Sequence, residues 1–440
     1  MVVQYINQLP AEIWVLVINF LYDTEYFPER KALALKSVRL TCRRFRDLAV
    51  SMFWRRVVID FDRYWKQVYS ALEEDERKRN AAHLLVVKYP WDHSSAHVGT
   101  EGVQVGPQAK SKAVQLKNLQ EIKVFGGGGD TPWRSFLEQN FNFPALKVWT
   151  LVWADISRES STFFTPRLST LVIQGCPSLS FQSNPEIMCM LTRLPNLRDL
   201  RIHDCHLSGY SKLKNDRLRS NLTQPLGTSP IEILRLRPFR SYDPIYLTEI
   251  NTFINDCPKL RELDMTECWS RCLTDGAPPV ALEKLEEFRG HAAVAALICK
   301  GLPVSDIRLS VGHERPDQFL ADLQDALTAG SVPISRITIP DLPWNSNVVR
   351  VISKCCRDLE ELNCYGHVEK EGRRNEMNPG NSIDLQELVS LLSGLPRLEI
   401  LRLVFYGYFP QFEVEDQAWE SVCLAEVGDG IKGLRSVQFC

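Results

Sequence analysis

Leu197-Arg198-Asp199-Leu200-Arg201-Ile202-His203-Asp204-Cys205 is the stretch on which the reading of the fold turns. Apolar residues stand at its first, fourth and sixth positions, and a small cysteine closes it at the ninth. The alternation puts Leu200 and Ile202 on one face of a short strand and Arg201 and His203 on the other. The same phrase returns at Leu168-Ser169-Thr170-Leu171-Val172-Ile173 with Cys176, and at Leu260-Arg261-Glu262-Leu263-Asp264-Met265 with Cys268. Looser copies open at Leu119, Leu146, Ile231, Leu285, Val304, Ile334, Leu359, Leu398 and Leu434. A weaker one, Ala82-His83-Leu84-Leu85-Val86-Val87, stands first.

Several copies follow a helical run that ends in Leu194-Pro195, Cys257-Pro258 or Leu395-Pro396. Proline stops the helix and hands the chain to the next strand. Start-to-start spacings are 22 residues from Leu146 to Leu168, 25 from Leu260 to Leu285 and 29 from Leu168 to Leu197. Units of roughly 20–29 residues with this phrase resemble leucine-rich repeats of the cysteine-containing kind. One strand and one helix cannot bury an apolar face alone, so the units must stack. The resulting expectation is an α/β leucine-rich-repeat solenoid over residues 81–440, with parallel strands on the concave face. Leu285, Phe288 and Gly290 fit the phrase poorly, and the step from Leu285 to Val304 is only 19 residues.

Upstream of the repeats the period changes. Leu9-Pro10-Ala11-Glu12-Ile13 opens a helix, with proline where the first N–H is unpaired anyway. Ile13, Val17 and Leu21 recur every four residues and make one apolar stripe. A second helix over roughly 29–39 carries Ala32, Leu35 and Val38, and a third over roughly 41–53 carries Cys42, Phe45, Leu48 and Met52. Three short helices in so few residues bury too little to be stable alone and gain from a partner.

Leu9-Pro10-x-Glu12-Ile13, Val17, Leu21, then Val38 with Cys42-Arg43-x-Phe45 and Leu48-Ala49, then Phe53-Trp54, resembles an F-box, most closely those of fungal F-box proteins. The link from Leu21 to Leu33 is longer than in the compact form. The resemblance implies a three-helix F-box over residues 1–60 that binds the Skp adaptor of a cullin ubiquitin ligase. It places Leu9, Pro10, Ile13, Val17, Leu35 and Val38 on the adaptor-facing or core surface. Residues 61–80 are expected as a helical linker. The function implied is a non-catalytic, substrate-recruiting subunit of a Skp–cullin–F-box ligase, with an unknown substrate protein held by the repeats. The alternative is a protein-interaction scaffold outside any ligase. A plainer alternative for the helices is a cap whose apolar residues form only its own core.

Composition narrows the partners. The 440 residues are 44% hydrophobic and 24% charged, which excludes wholesale disorder, and the net charge of −2 exerts no global pull on nucleic acid or anionic membrane. The first nine residues lack Lys and Arg, and the apolar run Ala292–Cys299 is too short to span a bilayer, so neither a secretory signal nor a membrane segment is expected. Thirteen cysteines without a disulfide-framework spacing fit a reducing cytosolic or nuclear compartment.

No cofactor and no metal is expected. Cys176, Cys205 and Cys268 share one phase of the phrase, where a small buried thiol fills a turn, and no Cys-x2-Cys pair exists for zinc. Gly126–Gly129 lacks the Lys and Ser or Thr of a phosphate loop, and His93 and His97 lie between Pro90 and Gly99 in a loop. No nucleophile motif stands out.

The outward strand positions carry the candidate substrate-binding residues: Arg201, His203, Arg235, Arg237, Arg289 and Arg308. As a basic patch they would capture an acidic or phosphorylated segment. Asp199, Glu262, Glu287 and Asp306 recur two residues earlier in the phrase, so an internal charge ladder between strands is the competing arrangement.

Overall fold

A computed structural model describes residues 52–61, 65–89, 113–126, 136–137, 140–153, 167–175, 194–205, 229–238, 254, 257–266, 282–310, 316–339, 346–365, 385–404, 430–431 and 433–439. The chain divides into two compact units, Met1–Pro177 and Ser178–Cys440. Leu9, Pro10, Ile13, Val17, Leu35 and Val38 and the first two expected helices lie outside the described residues, and of the third, expected over roughly 41–53, only residues 52 and 53 are described, both helical.

In the first unit the elements are β1 (Arg56–Asp60), α1 (Trp65–Glu74), α2 (Glu76–Ala81), β2 (Leu84–Lys88), β3 (Val114–Gln115), β4 (Glu121–Phe125), β5 (Phe141–Asn142), β6 (Val148–Val152) and β7 (Thr170–Gln174). Strands β1, β2, β4, β6 and β7 lie side by side in that order, all parallel, and β3 pairs with β5. Helices α1 and α2 lie between β1 and β2 in the chain, and β1 belongs to the sheet. Phe61 stacks on Tyr89 at 4.3 Å and meets Phe136 edge-on at 4.8 Å, an aromatic wedge at the strand ends.

The second unit runs β8 (Asp199–Cys205), β9 (Ile233–Pro238), β10 (Glu262–Asp264), β11 (Glu287–His291), α3 (Ala292–Ile298), β12 (Asp306–Ser310), α4 (Pro316–Ala329), β13 (Arg336–Ile339), α5 (Ser346–Cys355), β14 (Glu361–Tyr365), α6 (Leu385–Leu392), β15 (Ile400–Val404) and β16 (Ser436–Phe439). Its strands are parallel and lie in sequence order. Sequence neighbours that are also space neighbours are the mark of stacked repeats. Each unit is an α/β arrangement that fits a repeat solenoid.

The phrase explains this architecture residue by residue. Its apolar positions are the core: Leu260, Leu263 and Met265 are fully buried, as are Leu197, Leu200 and Ile202. Before most of the described phrases a four-residue turn closes, the opening residue's N–H donating to the carbonyl three back, as Leu197 does to Leu194 (3.2 Å) and Leu260 to Cys257 (3.1 Å). Pro195 and Pro258 sit second in those turns, where the ring's fixed φ fits. One carbonyl per repeat then locks the next: Arg261 and Glu262 both donate to the Glu232 carbonyl (2.8 and 3.0 Å), and Glu286 and Glu287 to that of Arg261 (both 2.9 Å). The double donation recurs at every described step from Arg198 to Glu399, and in the first unit from His83 to Lys147. Even the weak phrase at Ala82 obeys it, with Ala82, Leu85 and Val87 buried.

The two poorest fits have local explanations. Phe288 is fully buried where neighbouring strands hold Leu263 and Ile307. Gly290 leaves room for the ring, since a Cβ there would lie 2.9 Å from the Phe288 Cζ. In the first unit, Gly175 turns the chain at φ +64, and a Cβ on it would sit 2.7 Å from the Trp153 ring. Trp153 itself has φ 53, a left-handed conformation that a bulky residue rarely adopts.

Candidate protein-interaction face

Parallel register aligns the outward residues of the second unit into rows across the strands. The first row reads Asp199, Ile233, Glu262, Glu287, Asp306, Arg336, Glu361 and Ile400. Two residues further along each strand the second reads Arg201, Arg235, Asp264, Arg289, Arg308, Thr338, Asn363 and Arg402. A mostly acidic row thus runs beside a mostly basic one, about 7 Å away.

Side chains join the rows. Arg201 donates through Nε and Nη2 to Asp199, the closest contact 2.6 Å, and this bond is the main reason its guanidinium holds its proton more tightly than usual. Arg235 meets Glu262 at 3.0 Å, and Arg289 meets Glu287 at 2.6 Å and Glu262 at 3.4 Å. Arg336 spans three strands, donating to Asp306 (2.9 Å) and Glu361 (2.7 Å), and Arg402 adds a 2.9 Å contact to Glu361. Asn363 donates to both Glu361 Oε1 (3.0 Å) and Thr338 Oγ1 (3.2 Å).

Burial and pairing compete at the carboxylates. Desolvation alone would raise the Asp264 carboxyl, but the Thr266 hydroxyl and N–H, with Arg237 at 3.3 Å, outweigh it and hold the group below its ordinary value. Glu361 behaves alike: burial opposes ionisation, and Asn363, Arg336 and Arg402 overcome it. Asp306 goes the other way, pushed up by burial and by the neighbouring Glu287 despite its arginines.

Among the residues singled out from the sequence, Arg201, Arg235, Arg237 and Arg289 are therefore engaged with carboxylates of the same face. His203 lies beside Arg237 in a third row. Arg308 is exposed and forms no ion pair or hydrogen bond among the described residues. Three members of the face, Arg336, Glu361 and Arg402, were not singled out, although each stands at the same phrase positions as those that were.

Burial shields most of the described thiols. Cys257, Cys299, Cys356 and Cys364 are buried, and burial pushes the Cys356 thiol up to about 12 and those of Cys299 and Cys364 further. Cys176, Cys268, His93 and His97 lie outside the described residues. Among the described residues no group of His, Cys, Asp and Glu could hold a metal ion, and no helix is long and apolar enough to cross a membrane.

Parallel strands in sequence order, laced by paired charges on one face, define a class: a repeat array. The comparisons add a second module. A family model described as F-box-like matches residues 6–60, so the chain carries an F-box-like domain ahead of its repeats. Domains of this kind are non-catalytic docking modules, which supports a general protein-interaction or adaptor role for the chain. No curated protein matches. A crystal structure of the TLR13–ssRNA13 complex is similar at 13% identity and a TM-score of 0.37, covering 87% of this chain, which spans 57% of that one.

Proposed function

We propose that this protein is a substrate-recruiting subunit of a Skp–cullin–F-box ubiquitin ligase, acting in the cytosol or nucleus. The observation that carries the reading is the F-box-like match over residues 6–60, joined to a repeat array with an open ionic face. In this reading Leu9, Pro10, Ile13, Val17, Leu35 and Val38 face the Skp adaptor or support the helices that do. The face carrying Arg201, His203, Arg235, Arg237, Arg289 and Arg308 holds the substrate protein. The chain supplies no bond-making group. It raises the local concentration of substrate lysines at the ubiquitin-charged enzyme, which is a proximity effect.

The test is co-purification from cells of the full-length chain. Wild type should bring down both a Skp adaptor and a cullin, and Leu9→Ala with Pro10→Ala should lose both while the protein stays folded by circular dichroism. An adaptor recovered without any cullin would leave the chain as a scaffold outside the ligase.

A further inference from the structure

The ladder changes what the open face of the second unit can bind. Its arginines on neighbouring strands are committed: Arg289 to Glu287 and Glu262, and Arg336 to Asp306 and Glu361. A highly acidic segment laid across it meets cations that are already neutralised and a row of carboxylates beside them. Arg308 differs. It stands mid-strand on β12, exposed, and makes no hydrogen bond or close ion pair among the described residues, its charge reaching Asp306 only through space. The same-strand carboxylate that would neutralise it, Asp306, is held by Arg336 instead. Its register neighbours in the basic row are Arg289 and Thr338.

We propose that Arg308 is a single-charge anchor that accepts one aspartate or glutamate side chain from the recruited protein. A guanidinium offers a planar carboxylate two parallel N–H donors, and one fork satisfies one carboxylate. A phosphate brings close to two negative charges. Its attraction to the fork and its repulsion by Asp306 and Glu287 both grow with its charge, so the assignment to a carboxylate rests on the planar match of fork and carboxylate, and the phosphatase arm below separates the two. The surrounding paired charges act against wrong partners: a strongly acidic tract meets the carboxylate row, and a basic one meets the arginines. The partner segment is therefore nearly neutral with one isolated acid. This inference rests on the reading of the repeats as the partner-recruiting half of the chain.

The experiment uses the full-length protein captured from cells as wild type, Arg308→Glu and Arg308→Gln, with bound proteins quantified and half of each lysate treated with phosphatase. Reversal should lower capture of a specific partner by about tenfold or more. Phosphatase should leave wild-type capture unchanged, and cullin should be retained throughout. Support requires that reversing one acidic residue of that partner to arginine restores its capture by the Arg308→Glu chain. A profile unchanged by reversal, including one with no protein beyond adaptor and cullin, overturns the anchor. So does capture by wild type that phosphatase abolishes, which assigns the site to phosphate, or reversal losses that no acidic-residue swap rescues. Absence of cullin from the wild-type capture would instead count against the ligase reading, which keeps the two failures apart.

Discussion

At position 288 the repeat admits a phenylalanine where the strands on either side hold Leu263 and Ile307, because Gly290 beside it has no side chain to compete for the volume. Read from the sequence, both residues look like departures from the phrase; together they conserve its volume. Gly290→Ala places a methyl against the ring and should cost about 1–3 kcal/mol by overpacking. Phe288→Leu leaves a void and should cost roughly 1–2 kcal/mol. The double substitution returns the ordinary phrase, so it should recover at least about 0.5 kcal/mol relative to the sum of the single losses. Urea unfolding of the four proteins measures this coupling, and strictly additive losses would refute the shared volume. The physical lesson is that an inward phrase position specifies a volume shared with its neighbour two residues on, which a single-position pattern does not express.

Among the elements, β12 to β15 are tied by the chain of contacts Asp306–Arg336–Glu361–Arg402. Glu361 is its hub, 8% exposed, accepting from Arg336, Arg402 and Asn363. Arg336 and Arg402 are about half exposed, so solvent screens their share. Glu361→Gln should then cost roughly 1–2 kcal/mol at neutral pH. The sign with pH follows from the folded carboxyl being held below its unfolded value, burial notwithstanding. Its stabilisation is complete above the unfolded pKa and vanishes as pH falls through the folded one. The wild type and Glu361→Gln should accordingly differ most at neutral pH and converge as the pH falls below the ordinary carboxylate range, in unfolding midpoints measured from neutral to acid. A gap that persists or widens in acid would exclude the carboxylate as its source. Much at this scale was legible beforehand. The strands of the phrase could be read because period-two burial, a preceding Pro turn and a fixed spacing all coincide. The partners within the ladder could not, because a guanidinium chooses among carboxylates on three strands by register and reach, which the linear sequence does not encode. Strand β1 was hidden for a related reason: Val57 and Ile59 alternate correctly but lack the opening leucine and the turn before it.

At the scale of the molecule, the F-box-like match and the first repeat sheet share residues. The match extends to residue 60, yet Arg56–Asp60 is β1, paired along its length with β2. Val57 is 2% exposed and Ile59 fully buried, and Arg55 O and Phe61 N extend the pairing at both ends. Cutting the chain at the end of the match therefore removes a strand as well as a docking module. Two buried aliphatic side chains are worth about 3–6 kcal/mol, and β2 would be left as an uncovered edge. A chain beginning at residue 61 should unfold at a distinctly lower temperature than the full-length protein and should aggregate. One beginning at residue 52 should keep β1 and unfold close to the full-length chain. Thermal unfolding followed by light scattering separates them, and equal midpoints for the two truncations would show that β1 contributes nothing to the first unit. The consequence reaches function: loss of substrate capture on deleting residues 1–60 would confound a missing F-box with a damaged sheet. The same loss on deleting residues 1–51 would report the docking module alone.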